Sequence, residues 1–142
     1  MGYTQYLRGY VALSDELIAD VENIIRASKV SIRGGNGQGS PTIANDEIIF
    51  NGDSAYNEDY ETFVLVNGVN HRSFVKTAHM PYDEVVCAVL LRAGHYSNKF
   101  KVSSDGTWDN DDWQRGRDLY EKTFGEAPVK PDEVRDASLV GA

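Results

Sequence analysis

With Cys87 as its one cysteine, the chain cannot close an internal disulfide, so burial and hydrogen bonding must hold the fold. No apolar run approaches the roughly 18 to 20 residues that cross a bilayer. The opening "MGYTQYLRGY" has neither a basic start before an apolar run nor a small-residue cleavage site, and Tyr6 stands where myristoylation prefers Ser or Thr. A cytoplasmic protein without membrane attachment is the expectation. Basic residues are also scarce: 14 Lys and Arg stand against 22 Asp and Glu, a net charge of −8. That sign argues against affinity from bulk neutralisation of nucleic-acid phosphates. It suits solubility, or approach to the basic surface of another protein.

What is present fits one domain. A chain of 142 residues, 41% hydrophobic, buries about two thirds of its unfolded surface. "GYTQYLR" (2–8) reads as a strand. Ser14 then caps a helix over 15–29, whose Leu17, Ile18, Val21, Ile24 and Ile25 form one apolar stripe. "EIIFNG" (47–52), "ETFVLVNG" (61–68) and "RSFVKTA" (72–78) are strands punctuated by Asn-Gly, the pattern of an antiparallel meander. From Tyr82 to about His95 the chain is apolar around most of a helical circumference, which places this helix centrally. "KFKVSS" (99–104) is a last strand and 112–125 a helix ended by Gly125. The expectation is a single α+β domain over 1–125, in the order βαβββαβα, with a mostly antiparallel sheet on a buried central helix. Residues 126–142, with two prolines and scattered charge, read as a mobile tail, of which 128–142 is dispensable for folding.

Catalytic signatures are missing. "GGNGQG" (34–39) follows a helix and precedes a strand, the wrong context for a dinucleotide loop, and reads as a flexible connector. "SSDGTWDNDD" (103–112) lacks the calcium-loop register. Its Asp109, Asp111 and Asp112 complement the dipole of the helix they precede. Cys87 lies among valines, where a thiol is a packing group, and no nucleophile elbow is present. No catalytic residue, metal ligand or cofactor is assigned.

"KTAHMPYD" (76–83) carries the densest polar chemistry. Pro81, Asp83 and Glu84 suit a helix start. Lys76 and Thr77 end a strand aimed at that start, where free N–H groups and a cation can hold an anion. The strand ends at 77 and 104 and the helix start at 82 can converge at one sheet edge. The candidate ligand-binding residues are then Lys76, Thr77, Tyr82, Ser103, Ser104, Asp105 and Arg117, with Trp113 as a stacking surface.

"MGYTQY", "IIFNG", "ETF", "FVKTAHMPYD", "VVCAVLLRAGHY", "KVSSDG" and "DWQRGRDLYE" together resemble a group of small phage and bacterial proteins with no named activity, over nearly the whole chain to Gly125. Many of them have Cys in place of Val75 and His in place of Tyr96, and longer ones an insertion before "ETF". A metal or redox site built on that Cys and His pair would be missing here. The resemblance implies a phage setting. Two function classes follow: an anti-defence binding protein acting stoichiometrically on a host protein or a nucleotide-like signal, and a small nucleotide-binding enzyme with a cleft around Lys76 and Asp105. The first would contact a basic partner through Asp109, Asp111 and Asp112. The sequence leaves the oligomeric state open.

Overall fold

The computed structural model describes residues 2–137 and shows a single α+β domain with two small antiparallel sheets and three helices. The first sheet is made by β1 (Thr4–Gly9), β5 (His71–Lys76) and β6 (Phe100–Ser104), with β1 in the middle and antiparallel to both neighbours. The second is a meander of β2 (Thr42–Ile43), β3 (Glu47–Phe50) and β4 (Phe63–Val66). The two-residue β2 is an addition to the expected order. The strand at 71–76 does not continue the meander, because it pairs with β1 from Thr4↔Lys76 to Gly9↔His71. His71 links the sheets: its Nε2 accepts from Val66 N at 3.1 Å, and its Nδ1 reaches Gly9 O at 2.9 Å.

The helices follow from local chemistry. Ser14 Oγ accepts from Leu17 N at 3.2 Å and starts α1 (Asp15–Ala27), which buries Leu17, Val21 and Ile24. Asn110 does the same for α3 (Asp111–Phe124), accepting from Trp113 N at 2.9 Å, and Gly125 closes that helix in the left-handed region. α2 (Asp83–Tyr96) has ten buried residues, from Asp83 to Ala93, and packs on α1, α3 and β6. Gly116 permits the close approach of α3, since a Cβ there would lie 2.5 Å from Cys87 Cβ. Arg92 crosses the three-helix junction, donating to Asp20 Oδ2 at 2.8 Å and to Tyr120 OH at 2.9 Å.

The expected mobile tail is corrected over its described part. Up to residue 137 it lies on the body: Val134 is fully buried in the core cluster, Trp108 N donates to Arg135 O at 2.8 Å, and Lys130 Nζ donates to Val134 O at 2.7 Å. Residues 138–142 of that expected tail lie outside the described residues. A lone apolar anchor has no periodicity, so pattern alone does not reveal it. Val134→Ala is expected to cost about 2 kcal/mol, the usual worth of a buried valine. A chain ending at Ala127 should melt several degrees lower. Urea and thermal unfolding check both, and unchanged midpoints would mean that the segment contributes nothing.

Candidate functional site

The expected convergence exists. Because β5 and β6 both run antiparallel to β1, their ends at Lys76 and Ser104 flank the start of β1, where Thr4 pairs with Lys76 and Gln5 with Ser104. α2 and α3 begin at this same edge. Strand alternation then divides the residues into an inward set and an outward set.

The inward set forms a closed polar cluster. Asp83 Oδ1 accepts from Thr77 Oγ1 at 2.6 Å and from Gln5 Nε2 at 3.1 Å, while Cys87 Sγ lies 3.5 Å from Oδ2. All four side chains are buried. Burial pushes the Asp83 carboxyl up from its ordinary range, against the opposing pull of the Thr77 and Gln5 hydrogen bonds. The same desolvation drives the Cys87 thiol well up, leaving a neutral packing group. Tyr82 is buried with its hydroxyl donating to Glu61 O at 2.6 Å. Trp113 is fully buried, its indole N–H donating to Ser104 Oγ at 2.9 Å, so it presents no ring face for stacking. Thr77, Tyr82, Ser104 and Trp113 thus hold the edge together from within rather than opening a cleft. Asp83, expected only as a dipole complement, is the acceptor that joins β1, β5 and α2.

Above this cluster the backbone is strained at two successive residues, Ala78 (φ 53°) and His79 (φ 62°), both in the left-handed region. The turn lays the His79 ring on Tyr3, with centroids 3.9 Å apart, and brings Nδ1 within 2.6 Å of Asp112 Oδ2. Asp112 also accepts from Arg115 at 2.6 Å and is buried. Asp109 pairs with Arg117 at 3.0 Å, and the Arg117 guanidinium lies over the Trp108 ring, 4.4 Å from its centroid. Arg117 is therefore spent within the turn. Of the three carboxylates expected to meet a basic partner, two are engaged inside the molecule, and Asp111 is exposed. The glycine loop is tied down as well: Gly35 O accepts from Asn51 Nδ2 at 3.1 Å and from Thr62 Oγ1 at 2.6 Å, and Gly37 O from Ser54 Oγ at 3.0 Å. It is a pinned turn and not a flexible connector.

The outward set faces an open sheet surface. Three cross-strand rows cover it. Lys76 and Thr4 form the first, ending at Asp105, whose carboxylate accepts from Thr4 N at 3.1 Å and Tyr6 OH at 2.9 Å. Phe74, Tyr6 and Ser103 form the second, and Arg72, Arg8 and Lys101 the third. Phe74 is 58% exposed and Tyr6 39%, with ring centroids 6.4 Å apart. The Asp105 hydrogen bond raises the Tyr6 phenol pKa, which keeps that ring neutral and fixed in place. Arg8 pairs with Glu133 from the docked C-terminal segment. The second and third rows, with Glu133, border a shallow depression of about 400 Å³. A second hollow, of about 370 Å³, lies between the end of α2, β6 and residues 126–133. Its Lys130 amine is bonded to the carbonyls of Pro131 and Val134, so that hollow offers less free chemistry.

Of the sequence candidates, Lys76, Ser103 and Asp105 reach the open face. Tyr6, Arg8, Arg72, Phe74 and Lys101 join them there without having been singled out. Alternation in "TQYLR", "RSFVK" and "KVSS" carried the signal, since every second residue is polar or aromatic. Which strands pair was missing. No family model, curated protein or solved structure matches this chain. No described helix is long and apolar enough to cross a membrane.

The buried Asp83 makes a pH prediction. Its folded-state pKa lies above the unfolded value, so its contribution to stability is fully present below the unfolded pKa and is lost as pH rises through the folded one. Asp83→Asn keeps the acceptor for Thr77 and Gln5 and removes the charge. The wild type should therefore lose stability relative to Asp83→Asn as pH rises above the ordinary carboxylate range in paired urea titrations. A constant difference between the two proteins would contradict the assignment.

Proposed function

We propose that this protein is a non-enzymatic binding protein that holds a nucleotide-like anion on the outward face of the β5-β1-β6 sheet and acts stoichiometrically. The observation that carries the reading is the concentration of Arg8, Arg72, Lys76 and Lys101 around two exposed rings in a chain of net charge −8. Cations beside aromatic faces suit a ligand with phosphate at one end and a base at the other. The setting is that of the resembled phage proteins, an anti-defence protein that sequesters a host signal in the host cytoplasm. Sequestration needs occupancy and no reactive group. The rival surface, the acidic turn, is weaker, because Arg117 and Arg115 already answer Asp109 and Asp112. The enzyme reading around Lys76 and Asp105 has less support, since Asp105 is committed to Thr4 and Tyr6.

Calorimetric titration with a fluorescent ADP analogue tests this. Binding should saturate at a fixed ratio, weaken on Arg72→Gln and remain unchanged on Asp111→Asn. Glu133 neutralises Arg8 in the free protein, so Glu133→Gln should tighten binding by about two- to fivefold, the range of an exposed ion pair. Multiple turnovers by substoichiometric protein, abolished by Lys76→Ala, would replace this reading with the enzyme.

A further inference from the structure

We infer, resting on the reading of the outward face as the binding surface, that its ligand is a single-stranded nucleic acid, with bases on Phe74 and Tyr6 and phosphates along Arg72, Arg8 and Lys101. Three features of the face point to a strand. The first is its two-row pattern. The aromatic row and the cationic row cross the same strands two residues apart, which separates them by about 6.7 Å. Paired rows repeat across the sheet as base and phosphate repeat along a strand.

The second feature is spacing. The two ring centroids are 6.4 Å apart, almost double the roughly 3.4 Å per nucleotide along a duplex strand, so successive bases can lie on them only if the strand is unstacked and extended. Duplex bases hide their faces against one another and cannot reach either ring. The depression is also open, unlike the concave sites that enclose most of a small ligand. The third feature is electrostatic. Arg8 stands directly opposite both Arg72 and Lys101, and like charges facing each other across strands destabilise a sheet. Among the described residues, Glu133 relieves Arg8 alone of the three. A row of phosphates would relieve all of them.

Net charge does not forbid this contact. At physiological salt the field of the acidic remainder fades over about 8 Å, while the cationic row touches the phosphates directly. The cost is a modest affinity and a shallow salt response, because only about three phosphates are neutralised. For a single strand that predicts a log-log salt slope near −2.

The test uses the full chain and three probes: fluorescein-labelled dT12, the corresponding 12-base-pair duplex, and a fluorescent ADP analogue, read by anisotropy from 50 to 200 mM salt. The expected results are binding of dT12 with a slope near −2 and duplex binding at least about tenfold weaker. Phe74→Ala should weaken dT12 binding about tenfold, as loss of a stacked base does, with an unchanged melting temperature. Arg72→Gln should reduce the slope by about 0.7. Duplex binding as tight as single-strand binding, or dT12 affinity indifferent to Phe74→Ala, would overturn the inference. ADP-analogue binding that is lost on Arg72→Gln, with dT12 unbound, would sink the strand and keep the mononucleotide reading. Failure of both probes to bind would sink both.

Discussion

The double pairing of β1 is the constraint on which the rest depends. A strand of six residues near the start of the chain brings together β5 and β6, which follow it by more than sixty residues and have no contact with one another in the sheet order. Its inward side chains, Gln5 and Leu7, are buried, and its outward ones, Tyr6 and Arg8, centre the open face. Pairing at this distance carries a loop-closure cost that grows only slowly with length. It is offset by the burial of α2 against the inner surface.

The second consequence of that pairing is the polar cluster at the sheet edge. A carboxylate in the core is unfavourable unless its oxygens are satisfied, and Asp83 is satisfied from two strands at once, by Gln5 of β1 and by Thr77 just beyond β5. One acceptor oxygen, Gln5 Oε1, is buried without a partner among the described residues. The cluster therefore sets the register of α2 on the sheet at some cost in stability. The two left-handed residues beside it, Ala78 and His79, belong to the same arrangement, because they turn the chain sharply enough to start α2 and stack His79 on Tyr3.

Charge is distributed by the same geometry. Around the α3 start, acids and bases answer one another, with Asp109 to Arg117 and Asp112 to Arg115, and exposed pairs of that kind leave little field. On the outward sheet face the cations stand beside each other, and among the described residues only Arg8 has a carboxylate partner. An acidic molecule thus carries a local basic surface that its net charge conceals. Two rings exposed on that surface complete a chemistry that suits anions bearing a flat group.

The local elements were legible from the sequence, because their causes are local. Ser14 and Asn110 bond to backbone N–H groups three residues on, apolar spacing in α1 and α2 fixes which faces are buried, and Gly125 ends α3 by adopting a conformation that other residues avoid. That the strand ends at 77 and 104 and the start of α2 can meet was legible as an option, but the pairing of β5 and β6 on β1 is what makes them meet. Tertiary structure decided what those residues do there. Trp113 reads from the sequence as a stacking surface, and only the tertiary position of Ser104 makes it a core side chain. Whether the strand at 71–76 continues the meander or pairs with β1 depends on contacts across the chain that no window of neighbours contains, and with it went the identity of the open face. Val134 shows the same limit: one apolar residue in a polar segment becomes an anchor only when a gap in a distant core accepts it. Periodicity and caps are written in neighbours, whereas pairing and docking are settled by which surfaces the folded chain leaves uncovered.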